Sequence, residues 1–157
     1  MSFDWPDLAG RIDGQTHRLP VRVYYEDTDF SGIVYHANYL RFAERGRSDF
    51  LRLIGVHHAD LFEGAAPLAF AVHRMEIDFL RPARIDDRLE VRTRYVRASG
   101  ARIEAEQAIL RLAEGGEPEP IWRARVLAAC LDPGGRPRRL PAGVRDALAP
   151  FVAAGNG

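Results

Sequence analysis

The chain has 157 residues, 46% of them apolar and 28% charged, a length and balance that fit one domain with its own core and exclude a disordered chain. Its 22 basic and 22 acidic side chains cancel, which argues against a general nucleic-acid or membrane-surface binder. Every basic side chain is Arg and none is Lys. Lys Schiff-base chemistry, a Walker lysine and a Ser–Lys dyad are therefore excluded, and an anion bound by charge must be met by Arg, His or backbone N–H groups.

Residues 1–18 show no apolar periodicity and are expected to form a loose arm outside the core, and nothing in them resembles a signal peptide. Residues 19–25 are β-branched and aromatic and predict a strand. Residues 26–35 carry turn chemistry, with Asp27, Asp29, Ser31 and Gly32. A helix follows, starting near 36–38 with Asn38 as candidate N-cap and ending at Gly55 as a C′ residue. Its apolar stripe is Tyr39, Phe42, Ala43, Gly46, Phe50, Leu53 and Ile54, in steps of three and four. Ala43, Gly46 and Ser48 are small enough to let another backbone come close. Residues 57–65 are expected to form a short second helix.

From Pro67 the period changes to two. Met75, Ile77 and Phe79 form one alternating set, and Leu89, Val91, Thr93 and Tyr95 another. Ser99-Gly100 is a turn. Ile103 and Ala105 lead into a set shifted by one, Ala108, Leu110 and Leu112, which predicts a bulge. Trp122, Ala124, Val126, Ala128 and Cys130 are the last set. Tight turns between sequential strands make the sheet antiparallel, and one apolar helix on such a sheet is an α+β layer of about five strands. Residues 133–141 read as a linker and 144–152 as a terminal helical turn, with 143–157 a tail outside the core. There are no repeats, so residues 1–157 read as a single domain. Cys130 reads as a small buried hydrophobe. No run of 18 apolar residues exists, so no membrane span is expected and the protein is read as cytoplasmic.

Standard nucleophile and dinucleotide signatures are missing: no serine lies in G-x-S-x-G and there is no G-x-G-x-x-G. His57, His58 and His73 do not form a metal-ligand spacing, so no metal is expected. The densest polar cluster is Tyr25-Glu26-Asp27-Thr28-Asp29, with His36 seven residues after Asp29. Three readings compete for it. Asp27-x-Asp29-x-Ser31-Gly32 copies the opening of a calcium loop, although its twelfth position is Asn38 and a strand precedes it. Asp27 or Asp29 can make an Asx turn joining strand to helix, the reading favoured for Asp27. The third is catalytic: a carboxylate beside a helix N-terminus, whose free N–H groups stabilise developing negative charge on a carbonyl oxygen, is a minimal kit for acyl transfer.

The run VRVYYEDTDFSGIVYHANYLRFAERGRSDFL resembles the signature of hotdog-fold acyl-CoA thioesterases. More narrowly, it resembles the Tol–Pal-associated thioesterases, relatives of 4-hydroxybenzoyl-CoA thioesterase. Met75 to Phe79, Arg81-Pro82-Ala83-Arg84-Ile85-Asp86-Asp87 and Leu131-Asp132-Pro133 extend the likeness to roughly residues 20–142. The resemblance implies a long helix wrapped by a curved antiparallel sheet and hydrolysis of an acyl-CoA to acid and free thiol. It places the catalytic carboxylate on Asp29, as nucleophile or general base, and the subgroup's aromatic and imidazole on Tyr25 and His36. The backbone N–H that polarises the thioester carbonyl falls on His36. It also implies nucleotide contacts at the hairpin turn carrying Arg97 and Ser99, coenzyme A as part of the substrate and no separate cofactor. The family assembles as homodimers or homotetramers. Acyl carrier protein is a further possible thiol carrier. Phe30-Ser31 departs from the family's smaller or Pro-containing pairs. Glu44, on the helix, reads as a solvated face residue. Two other functions stay open: an acyl-CoA hydratase or dehydratase on the same fold, and a non-catalytic acyl-carrier or CoA-binding partner in envelope lipid assembly.

Overall fold

The structure, a computed structural model, describes residues 8–152. Its elements are β1 (Arg11–Asp13), β2 (Thr16–Arg22), a 3-10 turn (Tyr25–Asp27), α1 (His36–Leu53), α2 (His58–Glu63), β3 (Ala69–Phe79), β4 (Arg88–Ser99), β5 (Arg102–Arg111), β6 (Glu119–Leu131) and α3 (Ala142–Leu148). The strands form one antiparallel sheet in the order β1-β2-β4-β5-β6-β3. There are six strands instead of about five, because the segment expected to be a loose arm supplies β1 and the start of β2. Residues 1–7 of that arm and 153–157 of the tail lie outside the described residues.

The arm joins the sheet for two physical reasons. Asp13 pairs with Thr16 across a two-residue loop, with Gly14 at φ +62°, the conformation that a Gly-first hairpin turn requires. His17 then takes the inward phase shared by Leu19 and Val21 and is fully buried. Its Nε2 lies 2.7 Å from Asp49 Oδ2 on α1, and the same oxygen accepts the Gly10 N–H at 2.7 Å. The tail is likewise part of the core: Val144 and Leu148 are buried, and Phe151 meets Phe50 edge-on at 5.4 Å.

Helix α1 lies against the sheet by its small residues. A Cβ on Gly46 would sit 2.8 Å from both Thr93 Oγ1 and Val91 Cγ1, so any side chain there would push α1 off β4. Tyr39, Phe42, Ala43 and Phe50 are buried as the periodicity predicts, but Leu53 is exposed and Leu51 takes its place. The helix ends as expected at Gly55, with Val56 N–H donating to Leu51 O and Gly55 N–H to Arg52 O, the paired bonds of a Schellman cap. Asn38 is not the N-cap: Tyr35 occupies that position, and Asn38 is a buried residue of the first turn.

Strand β5 keeps one phase from Ile103 through Ala105 and Gln107 to Ile109. The predicted slip at Ala108 does not occur, because the buried inward residue there is the polar Gln107. The register shifts lie elsewhere, between Tyr95 and Arg97 and between Ile109 and Leu110. Gln107 Nε2 donates to Ala43 O and Thr93 Oγ1, and its Oε1 accepts from Arg47 Nη1 at 2.7 Å. Glu44 takes the other side of the Arg47 guanidinium, so it serves the buried arginine as well as facing solvent. Gln107→Leu strips three partners at once and is expected to destabilise the fold by about 2 kcal/mol, read as a lower urea midpoint at unchanged m-value. Cys130 is buried, and burial pushes its thiol up, as suits an inert core residue.

Candidate active site

Strand β2 stops at Arg22, where Val23 turns its N–H to Asp87 O and accepts from Asp86 N–H. The chain tightens into the 3-10 turn, and Asp27 turns inward. Its Oδ2 accepts the Tyr24 N–H at 2.8 Å, its Oδ1 accepts Asn38 Nδ2 at 2.9 Å, and its carbonyl accepts the Tyr35 N–H at 2.9 Å. Asp27 is therefore a buried clamp fixing the turn to the start of α1, the structural role favoured for it.

Asp29 sits at the base of the next loop. Its N–H donates to Ile33 O at 2.9 Å and its carbonyl accepts the Gly32 N–H at 3.1 Å. Gly32 has φ +81°, so residues 30–32 form a three-residue hairpin loop closed by a left-handed glycine. This loop is held in place by the segment 81–87: Ile33 bridges Arg84, and Val34 N–H donates to Ala83 O at 2.8 Å. Ala83 N–H in turn donates to the Tyr39 hydroxyl on α1 at 2.9 Å. The first two stretches that carry the family resemblance are thus neighbours in space, and together they fix the Asp29 backbone.

The Asp29 side chain is exposed. Its Oδ1 accepts the Ser31 N–H at 2.8 Å and the Ser31 hydroxyl at 2.5 Å. These two bonds, aided by the charge of nearby His36, hold the carboxyl below the ordinary aspartate range. The Asx turn weighed as a structural role is therefore made by Asp29, through one oxygen; Oδ2 has no hydrogen-bond partner among the described residues. Both Asp27 oxygens and one Asp29 oxygen accept protein donors, which ties the two carboxylates to the turn. Among the described residues, no three His, Cys, Asp or Glu side chains gather as a metal site.

His36 opens α1, its ring 4.3 Å from that of Tyr35. Of the first-turn N–H groups, that of Asn38 donates back to Tyr35 O at 2.8 Å, and the turn as a whole carries the positive end of the helix dipole. The charge of His36 at this helix end acts on the Asp29 carboxyl. Tyr25 begins the 3-10 turn; its carbonyl accepts from Thr28, and its side chain is 83% exposed. Phe30, Tyr24 and Tyr35 are exposed as well.

Arg97 and Ser99 are not brought to Asp29 within one chain. The Asp29 loop rests against residues 83–87, at the start of β4, whereas Arg97 and Ser99 end that strand. Arg97 lies nine residues beyond Arg88, roughly 30 Å at 3.3 Å per residue. Neither Arg97 nor Arg102 has a carboxylate partner among the described residues, while Arg92 and Arg94 pair with Glu90 and Glu106. A cavity of about 120 Å³ lies along α1, walled by Leu51, Phe70, Ile103 and Val126, with Glu44 and Arg47 at its polar side. Glu44 is eight residues beyond His36, about 12 Å at the helical rise, so this cavity does not adjoin Asp29. The sequence reading missed Ser31 as a partner of Asp29, although an Asp two residues before a Ser is the spacing of an Asx turn.

The family model described as Thioesterase-like superfamily matches residues 23–148. The chain is 41% identical over 127 residues to the acyl-CoA thioester hydrolase YbgC of Escherichia coli O6:H1, covering 79% of this chain and 89% of that protein. It is 33% identical over 138 residues to the chloroplastic acyl-acyl carrier protein thioesterase ATL2 of Arabidopsis thaliana, covering 88% of this chain and 71% of that protein. Its fold matches the crystal structure of a probable thioesterase from Bartonella henselae with a TM-score of 0.73 at 47% identity, over 80% of this chain and 99% of that one.

Proposed function

The chain belongs to the thioesterase-like superfamily, with its hotdog fold, and from that premise we propose that it hydrolyses acyl-CoA thioesters with Asp29 as the reacting carboxylate. The observation that carries the reading is the pairing of an ionised carboxylate, one oxygen free, with the N-terminus of an 18-residue helix. The first-turn N–H of His36 polarises the thioester carbonyl. Asp29 Oδ2 either attacks the carbonyl carbon, giving a mixed anhydride that water hydrolyses once the thiolate has left, or takes a proton from a water that attacks the carbon directly. The C–S bond breaks, the sulfur leaves as thiolate and takes a proton, and the acyl group departs as carboxylic acid. These steps draw on no group beyond the substrate and water. Tyr25 and the exposed aromatic rings beside it supply a surface for the substrate to cover.

The two edges of the sheet are unequal. β1 is three residues long, whereas β3 runs for eleven and bonds only to β6 among the described residues. Val72 and Phe79 are exposed along it. A long free edge with apolar side chains needs a partner, and a second copy of this chain fits it. Arg97 and Ser99, too far from Asp29 in one chain, contact the phosphates of coenzyme A in this reading from another copy. No helix of the described residues is long and apolar enough to cross a membrane, and a cytoplasmic protein is the reading that suits an acyl-CoA substrate.

The relative in Arabidopsis thaliana makes acyl carrier protein a second candidate thiol carrier. An enoyl-thioester separates hydrolysis from the hydratase alternative. Hydrolysis yields free thiol and an enoic acid with its double bond intact; a hydroxyacyl thioester with no thiol released would overturn the proposal.

A further inference from the structure

We propose that Ser31 is a positioning residue for Asp29: its hydroxyl and its backbone N–H together hold Oδ1, so that Oδ2 is the oxygen presented to the substrate. The inference rests on the reading of Asp29 as the reacting carboxylate. Three observations carry it. First, Asp29 lies on an exposed loop, where a carboxylate has no packing to fix its rotamer. Among the described residues, Ser31 alone hydrogen-bonds that carboxylate, with N–H at 2.8 Å and hydroxyl at 2.5 Å. Second, two donors from the one residue, hydroxyl and backbone N–H, converge on the same oxygen Oδ1 and leave Oδ2 without a partner among the described residues. Third, the two donors are separable. Any residue but Pro supplies the N–H of an Asx turn, whereas only Ser or Thr at this position supplies a hydroxyl donor in the same geometry. Among the described residues, the Ser31 hydroxyl hydrogen-bonds only Asp29.

Glu26 and buried Asp27 are close to Asp29 in sequence and Arg84 lies across the Ile33 bridge, but of the charged groups His36 at the start of α1 is the one that acts on its carboxyl. None of them hydrogen-bonds the Asp29 carboxylate. A substitution at Ser31 therefore changes the direct partners of Asp29 and leaves the surrounding charges in place.

The test is a carbon-13 NMR titration of the Asp29 carboxyl in wild type, Ser31→Ala and Ser31→Thr, with steady-state hydrolysis of an acyl-CoA by the same proteins. Ser31→Ala is expected to raise the Asp29 midpoint towards the ordinary value of about 3.9. It is also expected to lower kcat about 10-fold with KM nearly unchanged, the size of one charge-assisted hydrogen bond. Ser31→Thr restores both. An Asp29 midpoint unmoved in Ser31→Ala, or one that moves while kcat stays at the wild-type value, overturns the proposal. Asp29→Asn in parallel separates the two possible failures. If it keeps wild-type turnover, the reading of Asp29 falls and the positioning role falls with it. If it is inactive while Ser31→Ala behaves as wild type, only the role of Ser31 falls.

Discussion

Asp29→Asn is expected to lower kcat for acyl-CoA hydrolysis by about 10³-fold, within the range for loss of a positioned base or nucleophile. The substitution is close to isosteric, and the side chain is exposed. The amide oxygen can still accept the Ser31 N–H and hydroxyl, so the loop and the melting temperature should be retained. What is lost is the negative charge on Oδ2, which neither attacks a carbonyl carbon nor removes a proton from water as an amide. The wild-type carboxyl is held low by Ser31, with a smaller contribution from His36. Its ionised fraction is therefore constant through the neutral range, and the limb of kcat/KM that belongs to Asp29 lies at pH below about 3.9. A residual rate in Asp29→Asn, from the helix N-terminus alone, would have no limb there.

The largest effect on stability is expected at Asp49. One of its oxygens accepts both His17 Nε2 and the Gly10 N–H at 2.7 Å, and the other accepts Arg52 Nη2 at 2.7 Å. It ties the N-terminal hairpin to α1. Asp49→Ala leaves fully buried His17 with neither ring nitrogen bonded, because Nδ1 already has no partner. A cost of about 3 kcal/mol follows, as for other buried polar groups stripped of a charged partner. Burial raises the Asp49 pKa, but the bonds from Arg52, Gly10 and His17 outweigh it, and the net shift is downward. A carboxyl with a depressed folded pKa contributes fully above its unfolded value and loses that contribution as pH falls through the folded one. The gap between wild type and Asp49→Ala, from urea denaturation, should therefore be full at neutral pH and close as pH falls below about 4. A gap independent of pH would contradict the carboxylate's part in it.

Much of this was legible in the sequence wherever the inward residues are apolar. The α1 stripe from Tyr39 to Phe50, the alternation of Leu89, Val91 and Tyr95, and the cap at Gly55 appear where the pattern put them, while at the end of α1 Leu51 replaces Leu53. The pattern failed where the core takes a polar residue. Gln107 faces inward because Ala43, Thr93 and Arg47 bond it, partners 14 to 64 residues away. His17 faces inward because Asp49 receives it, 32 residues away. Local apolar counting cannot weigh such distant partners, so it moved β5 out of phase and discarded the N-terminal hairpin. The Asp13-Gly14 turn was a local signal of that hairpin and went unused. At the candidate site, the motif names Asp29 and His36, and the charge of His36 acts on the Asp29 carboxyl, but spacing alone could not show that Arg97 and Ser99 end the same strand that begins beside the Asp29 loop.

The central claim is thioester hydrolysis, and thiol release tests it most directly. Purified protein is mixed with short-chain, long-chain and aromatic acyl-CoAs, and free thiol and carboxylic acid are measured together. The account predicts catalytic turnover on at least one of them, with one thiol and one acid formed per substrate consumed. Acyl-CoAs and acyl carrier protein thioesters that bind but are returned intact would contradict it.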